Sequence, residues 1–206
     1  SLGRIEITVS NHCSCAAPQL SMNESYELSV AEDAISLTAH SRWGALRGVA
    51  TLAQLACSDQ LYRGLHIEDR PRFAWRGLLL DVARHFFPIA SLKLVIDGLA
   101  AVKMNVLHLH LSDDQGFRFP STAFPNLASD DHYIADELRE LVSYAAHRGV
   151  RIVPELDMPG HVTSWLVAHP EWGTQQPAAT RRFGVHKACL NPLDESVYQA
   201  IDVLLG

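Results

Sequence analysis

The chain has 206 residues, 48% hydrophobic and 19% charged, with a formal charge of −6, the make-up of an ordinary globular chain of one large or two small domains. With Arg181-Arg182 its one adjacent basic pair, it lacks the clustered basic surface that a nucleic-acid partner requires. No apolar run approaches the roughly 18 residues of a membrane span, and the N-terminus has no signal-peptide pattern.

Residues 4–9 (RIEITV), 25–30 (SYELSV) and 34–39 (AISLTA) alternate apolar and polar side chains, which predicts half-buried antiparallel strands. Glu32-Asp33 reads as the hairpin turn between the second and third. Trp43 to Ala56 is rich in Ala and Leu. Leu46, Val49, Ala50, Ala53 and Ala56 share one helical face, which Leu52 and Leu55 widen. Strands followed by a helix predict a small α+β domain. The polar, proline-broken segment Glu68-Asp69-Arg70-Pro71-Arg72 places its boundary at 70/71.

The pattern then changes. Gly77 to Val82 (GLLLDV) and Asn105 to Leu111 (NVLHLHL) are apolar runs of the kind buried on both faces of a sheet, and Val150 to Pro154 is a third. Between them, apolar residues at 92, 95, 96, 99 and 102 predict a helix over 91–104. An amphipathic segment over 135–147 starts with Asp136 and Glu137 and ends with His147, matching the helix dipole, and Gly149 terminates it. Residues 173–189 read as loop, and a further helix starts at Glu195. Alternating strands and helices are the βαβ rhythm of a parallel sheet. Residues 71–206 therefore predict the first three βα units of an incomplete (β/α)₈ TIM barrel, since they fall well short of the roughly 250 residues of a whole one. Exposed edges and faces of such a sheet predict self-association or disorder in the second half of the chain.

Each predicted strand ends in a polar cluster. Asp81, Arg84 and His85 follow the first, Asp113 and Asp114 the second, and Glu155, Asp157 and His161 the third. In a barrel of parallel strands this edge is where chemistry is done. His108 and His110 lie two apart on a strand and so share a face. Two readings are open for them: hydrogen-bonded scaffold, or paired metal ligands completed by Asp157 or His161. Asp81 reads either as a brace for the strand end or as a site group. Phe117, Trp165 and Trp172 read equally as sugar-stacking platforms or as core. The four cysteines, Cys13, Cys15, Cys57 and Cys189, complete no zinc framework and read as inert thiols. Asn23-Glu24-Ser25 is a weak glycosylation sequon.

The blocks RGLLLDVARHFFP, KMNVLHLHLSDDQGFR and VPELDMPGH, in this order, resemble three consecutive blocks of the family 20 glycoside hydrolases, the β-N-acetylhexosaminidases. Residues 24–55 are similar to the small α+β domain that precedes the barrel in that family. The resemblance implies removal of terminal N-acetylhexosamine (GlcNAc or GalNAc) from oligosaccharides or glycoconjugates, with no cofactor and no metal. It also implies a periplasmic, secreted or lysosomal location. The implied mechanism is substrate-assisted retaining hydrolysis, an exception to the two-carboxylate scheme. By motif position, Arg84 binds the hydroxyls of the non-reducing sugar. Asp113 and His161 form a relay that tunes the catalytic glutamic acid, and Asp157 supports it.

The family's adjacent Asp-Glu pair, in a Gly-Gly-Asp-Glu context on the fourth strand, has no counterpart here. Asp194-Glu195 and Asp136-Glu137 both stand at helix starts. Phe117 replaces the tryptophan common in the family. The chain is thus expected to be truncated before its general acid and inactive alone. Two other readings stay open: a metal-dependent hydrolase using His108 and His110, and a non-catalytic sugar-binding fragment.

Overall fold

A computed structural model describes residues 4–10, 17–58 and 64–206. The chain divides into two compact units. One gathers Ser1–Leu78, Lys93–Val106 and Ser143–Arg151; the other gathers Leu79–Leu92, Leu107–Val142 and Ile152–Gly206. Cys13 and Cys15 lie outside the described residues, whereas Cys57 and Cys189 are free thiols.

The first unit is built on a four-stranded sheet of β1 (Arg4–Val9), β2 (Tyr26–Val30), β3 (Ala34–Ala39) and β4 (Leu65–Asp69), in the order β1-β3-β2-β4. The hairpin at Glu32-Asp33 forms as expected, closed by the Ala31 N–H donating to the Ala34 carbonyl at 2.8 Å. β2 and β3 pair antiparallel, with Leu28 opposite Leu37. β1 departs from the expectation: it pairs with β3 in parallel, Ile5 opposite Ile35. Among the described strands it lies at the edge, and Ile5 and Ile7 stay exposed despite their alternation. β4 has no expected strand behind it and pairs antiparallel with β2. Tyr26, Leu28, Val30, Ile35, Leu37 and Ala39 form the buried layer.

Helix α1 (Arg42–Cys57) starts where Ser41 accepts the N–H groups of Trp43 and Gly44, an N-cap that satisfies otherwise orphaned donors. Its buried face is not the predicted one. Trp43, Gly44, Arg47, Gly48 and Thr51 are buried, whereas Val49, Ala53 and Ala56 face solvent. The reason is close approach. A Cβ at Gly44 would run into the Ser25 carbonyl oxygen and one at Gly48 into the Leu37 side chain. The two glycines let the helix lie against the sheet, with Ala45, Leu52 and Leu55 packing at the margins.

The second sheet comprises β5 (Gly77–Asp81), β6 (Val106–Asp113), β7 (Gly116–Phe117) and β8 (Arg151–Leu156), in the order β5-β6-β7 with β8 pairing β6. Helix α2 (Ile89–Ala101) separates β5 from β6, and α3 (Ala135–His147) separates β6 from β8. This is the α/β alternation with which a (β/α)₈ barrel begins. α2 ends earlier than expected, as Lys103 turns to φ 61°; α3 matches its expected span and stops before Gly149 at φ 68°, a left-handed conformation that glycine adopts without strain. β6 is buried as predicted, but β5 is not: Leu78 and Leu79 are exposed. Among the described strands β5 bonds β6 alone. β8 is likewise only half-buried, with Arg151 exposed. The remaining α-helices are the short α4 (Thr163–Ala168) and α5 (Glu195–Leu205), with single 3-10 turns at Pro125–Leu127 and Pro170–Trp172. No described helix is long and apolar enough to cross a membrane.

Candidate active site

The polar groups at the ends of β5, β6 and β8 come together within the second unit. The Val82 N–H donates to the His110 carbonyl at 3.2 Å, which brings the residues after β5 alongside β6. Asp81 then acts as a brace. Its Oδ1 accepts the N–H groups of Ala83 (3.0 Å) and Arg84 (2.9 Å), and its Oδ2 lies 2.6 Å from Arg84 Nη1. This turn aims the guanidinium back at β6, where Nη2 stands 2.7 Å from Asp113 Oδ2. Burial opposes charge on Arg84, but Asp81, Asp113 and Asp114 outweigh it and hold the guanidinium firmly protonated.

Asp113 is the centre of the cluster and is fully buried. Oδ1 accepts the Asp114 N–H at 2.6 Å and lies 3.0 Å from His161 Nδ1. Oδ2 lies 2.9 Å from His110 Nε2, besides its contact with Arg84. Burial pushes the Asp113 carboxyl up, yet the Asp114 N–H, His110 and the charges of Arg84 and His161 together hold it below the usual carboxylate range. Ser164 donates its hydroxyl to the Asp113 carbonyl at 2.7 Å, and the Ser112 hydroxyl accepts the Asp157 N–H at 3.0 Å. These bonds tie the loop after β8 to the end of β6.

His161 reaches Asp113 from a backbone at φ 57°, a region uncommon for a residue with a side chain. Asp157, His161 and Asp113 present atoms within 4.8 Å of one another. The four expected site residues, Arg84, Asp113, Asp157 and His161, therefore converge. Asp114 joins the cluster through Oδ2, 3.4 Å from His161 Nδ1, while its Oδ1 accepts both the N–H (3.1 Å) and the hydroxyl (2.5 Å) of Thr163, a buried tie to the start of α4.

His108 and His110 do share a face, and what they meet there is Glu155. His110 Nδ1 lies 3.1 Å from Oε1 and His108 Nε2 lies 2.5 Å from Oε2. The Oε2 contact lacks hydrogen-bond alignment. Three trios could hold an ion: Asp81, His110 and Asp113; His110, Glu155 and Asp157; Asp113, Asp157 and His161. None includes His108, so the paired-histidine ligand set does not form among the described residues. Burial pushes the His110 imidazole down, but its bonds to Asp113 and Glu155 prevail and raise its pKa above the ordinary value. Glu155 was legible only as one member of a polar cluster. The signal pointing to it is its spacing from Asp157, two residues along the same strand end.

The aromatic residues resolve to core. Phe117 and Trp165 meet edge to face at 5.2 Å, both fully buried, and Trp172 stacks on His169 at 4.1 Å. An open cleft of about 790 Å³ borders Arg84, lined also by His85, Gln115, Arg181 and Phe183.

The family described as "Glycosyl hydrolase family 20, catalytic domain" matches residues 73–206, and "beta-acetyl hexosaminidase like" matches residues 1–55. The chain is 40% identical over 171 residues to the beta-hexosaminidase subunit beta of Mus musculus, covering 78% of this chain and 32% of that protein. It is 34% identical over 220 residues to the corresponding subunit of Entamoeba histolytica, covering 98% and 38%. Among solved structures, the Flavobacterium johnsoniae chitobiase superposes with a TM-score of 0.86 at 40% identity, over 98% of this chain and 32% of that one. A mutant Streptomyces plicatus beta-hexosaminidase in complex with product GlcNAc superposes with a TM-score of 0.87 at 32% identity, over 100% and 44%. The chain thus spans about a third of the length of these curated relatives.

Proposed function

The chain belongs to glycosyl hydrolase family 20, and from that membership we propose that it carries part of the active site of a β-N-acetylhexosaminidase, acting on terminal N-acetylhexosamine of oligosaccharides or glycoconjugates. The observation that carries the reading is the meeting of Arg84, Asp113 and His161 at strand ends. In substrate-assisted retaining hydrolysis the sugar's own acetamide oxygen attacks the anomeric carbon, so no enzyme carboxylate is the nucleophile. The protein then has two tasks: to orient the sugar and to deliver a proton to the leaving oxygen.

Arg84 serves the first. Asp81 and Asp113 hold one nitrogen each, and a guanidinium has five N–H donors, so others remain for sugar hydroxyls. Asp113 and His161 serve the second. The Asp113 carboxylate fixes the orientation of the imidazole, which then tunes the acid it faces, with Asp157 supporting the loop. The acid itself is, in this reading, a glutamic acid that these 206 residues do not supply. Asp194 caps α5 by accepting the Ser196 N–H, and Asp136 pairs with Arg139 on the surface. Neither belongs to the cluster. We also keep the domain boundary at 70/71, supported by the two family matches on either side of it. The exposed Leu78 and Leu79 of β5 support self-association, which light scattering reads.

The test uses a chromogenic N-acetyl-β-glucosaminide. The chain alone is expected to release no chromophore, while N-acetylglucosamine shifts NMR signals around Arg84 and His161. A longer protein carrying this segment hydrolyses the substrate, and Asp113→Asn within it lowers kcat by about 10²–10⁴-fold, the usual worth of acid-base assistance. Turnover by the chain alone, or turnover abolished by chelators, overturns the reading in favour of a self-sufficient or a metal-dependent site.

A further inference from the structure

The row of groups behind Asp113 has no part in the reading above. His110 is almost sealed from solvent, and both of its ring nitrogens face carboxylates: Nε2 toward Asp113 Oδ2 at 2.9 Å, Nδ1 toward Glu155 Oε1 at 3.1 Å. A neutral imidazole has one N–H and one lone pair, and an ionised carboxylate only accepts. Neutral His110 would therefore aim a lone pair at one of the two carboxylates across hydrogen-bond distance. An N–H turned to each carboxylate requires the imidazolium. The surroundings favour that charge. Asp81 on β5, Asp113 on β6 and Glu155 and Asp157 at the end of β8 all lie close to the ring. Arg84 and His108 meet it only across Asp113 and Glu155.

Asp113 is in turn a saturated acceptor. Its four partners, Asp114 N–H and His161 on Oδ1, His110 and Arg84 on Oδ2, fill the roughly four lone-pair sites of a carboxylate. With Oδ2 occupied by two cations, Oδ1 is left for the groups on the other side. His161 must then offer Nδ1–H to it, because a lone pair there would face the carboxylate unbridged.

We propose that His110, held as an imidazolium by Glu155, is a positioning residue that locks Asp113 so that Oδ1 fixes His161 in its Nδ1–H form. This rests on the hydrolase reading only for what His161 does next; the arrangement itself is independent of turnover. Where that reading holds, the His161 nitrogen left free, Nε2, is the one turned to the acid.

The test is a pH titration of the 206-residue chain with ¹⁵N-labelled imidazoles, followed by long-range ¹H–¹⁵N NMR. Both ring nitrogens of His110 are expected to stay protonated above the ordinary imidazole midpoint of about 6.5, and His161 to carry its proton on Nδ1. Glu155→Gln should bring the neutral form of His110 in at a pH lower by about one unit or more. It should also loosen the hold on Asp113, read as an Nε2–H tautomer appearing at His161. His110→Gln, which keeps a donor for Asp113 but no charge, should shift the His161 tautomer in the same way and serves where Glu155→Gln does not fold. His110 titrating near the ordinary value of about 6.5, or a His161 tautomer unmoved in both variants, overturns the proposal. Neither result depends on sugar cleavage, so failure here and failure of the hydrolase reading are separable.

Discussion

Each of the two units buries a carboxylate between cations, and the two clusters serve opposite ends. In the first unit Glu24 Oε1 lies 2.7 Å from both Arg47 Nε and Arg76 Nη2. Other nitrogens of the two guanidinium groups go to carbonyls: Arg47 Nη2 to Gly149 at 2.7 Å, Arg76 Nε to Lys103 at 2.9 Å and Arg76 Nη1 to Phe73 at 2.7 Å. Burial pushes the Arg47 guanidinium down while Glu24 opposes it, but an arginine does not deprotonate in a protein. In the second unit the cations around Asp113 include imidazoles, and its outer partners, Arg84 and His161, are 38% and 45% exposed. A buried ion pair is therefore no mark of a site by itself. What separates the two is whether a partner changes charge within the physiological range and whether it reaches solvent.

The comparison is most directly broken by Glu24→Ala. Removing the shared carboxylate leaves two arginines facing each other in the interior, a loss of about 3–5 kcal/mol by analogy with other broken buried pairs. Urea unfolding reads it, and a loss near zero would reduce the cluster to decoration. Arg47→Lys should come next, at about 1.5–3 kcal/mol, since lysine keeps the charge but cannot span Glu24 and Gly149 together. Arg84→Lys is the matched change in the second unit. Its side chain is more than a third exposed, so the stability cost should stay below about 1 kcal/mol, while the sugar-induced NMR shifts weaken.

The smallest effect expected is a pH dependence whose alkaline limb belongs to the second unit, while the first unit shares the acid limb through Asp69 and Asp97, both held low. Asp113 is held below its ordinary pKa, so its contribution is present above about pH 4 and is lost as pH falls through the lowered value. His110 is raised, so its contribution is complete below about pH 6.5 and is lost as pH rises through the raised value. The Glu24–arginine cluster has no imidazole in it. Amide exchange, corrected for intrinsic rates, should loosen in β6 and β8 above pH 6.5 while β2 and β3 stay unchanged. Equal loosening in both sheets would remove the distinction.

Local pattern carried much of this molecule. The hairpin of β2 and β3, the limits of α3 and the buried β6 follow from alternation, helical spacing and a terminating glycine, all properties of neighbouring residues. The convergence of Arg84, Asp113, Asp157 and His161 was legible too, because three strand ends of one sheet open on one edge. Other features were decided by partners distant in sequence. The buried face of α1 is set by how closely Gly44 and Gly48 approach Ser25 and Leu37, which hydrophobic spacing along the helix does not register. The parallel pairing of β1 depends on which strand edge is free. Phe117 and Trp165 became core through each other, 48 residues apart in sequence. His110 alone shows a histidine on an apolar strand. Only with Glu155 brought 3.1 Å from Nδ1 and Asp113 2.9 Å from Nε2 does its charge state become a structural matter, since a carboxylate at each nitrogen is a property of the assembled site.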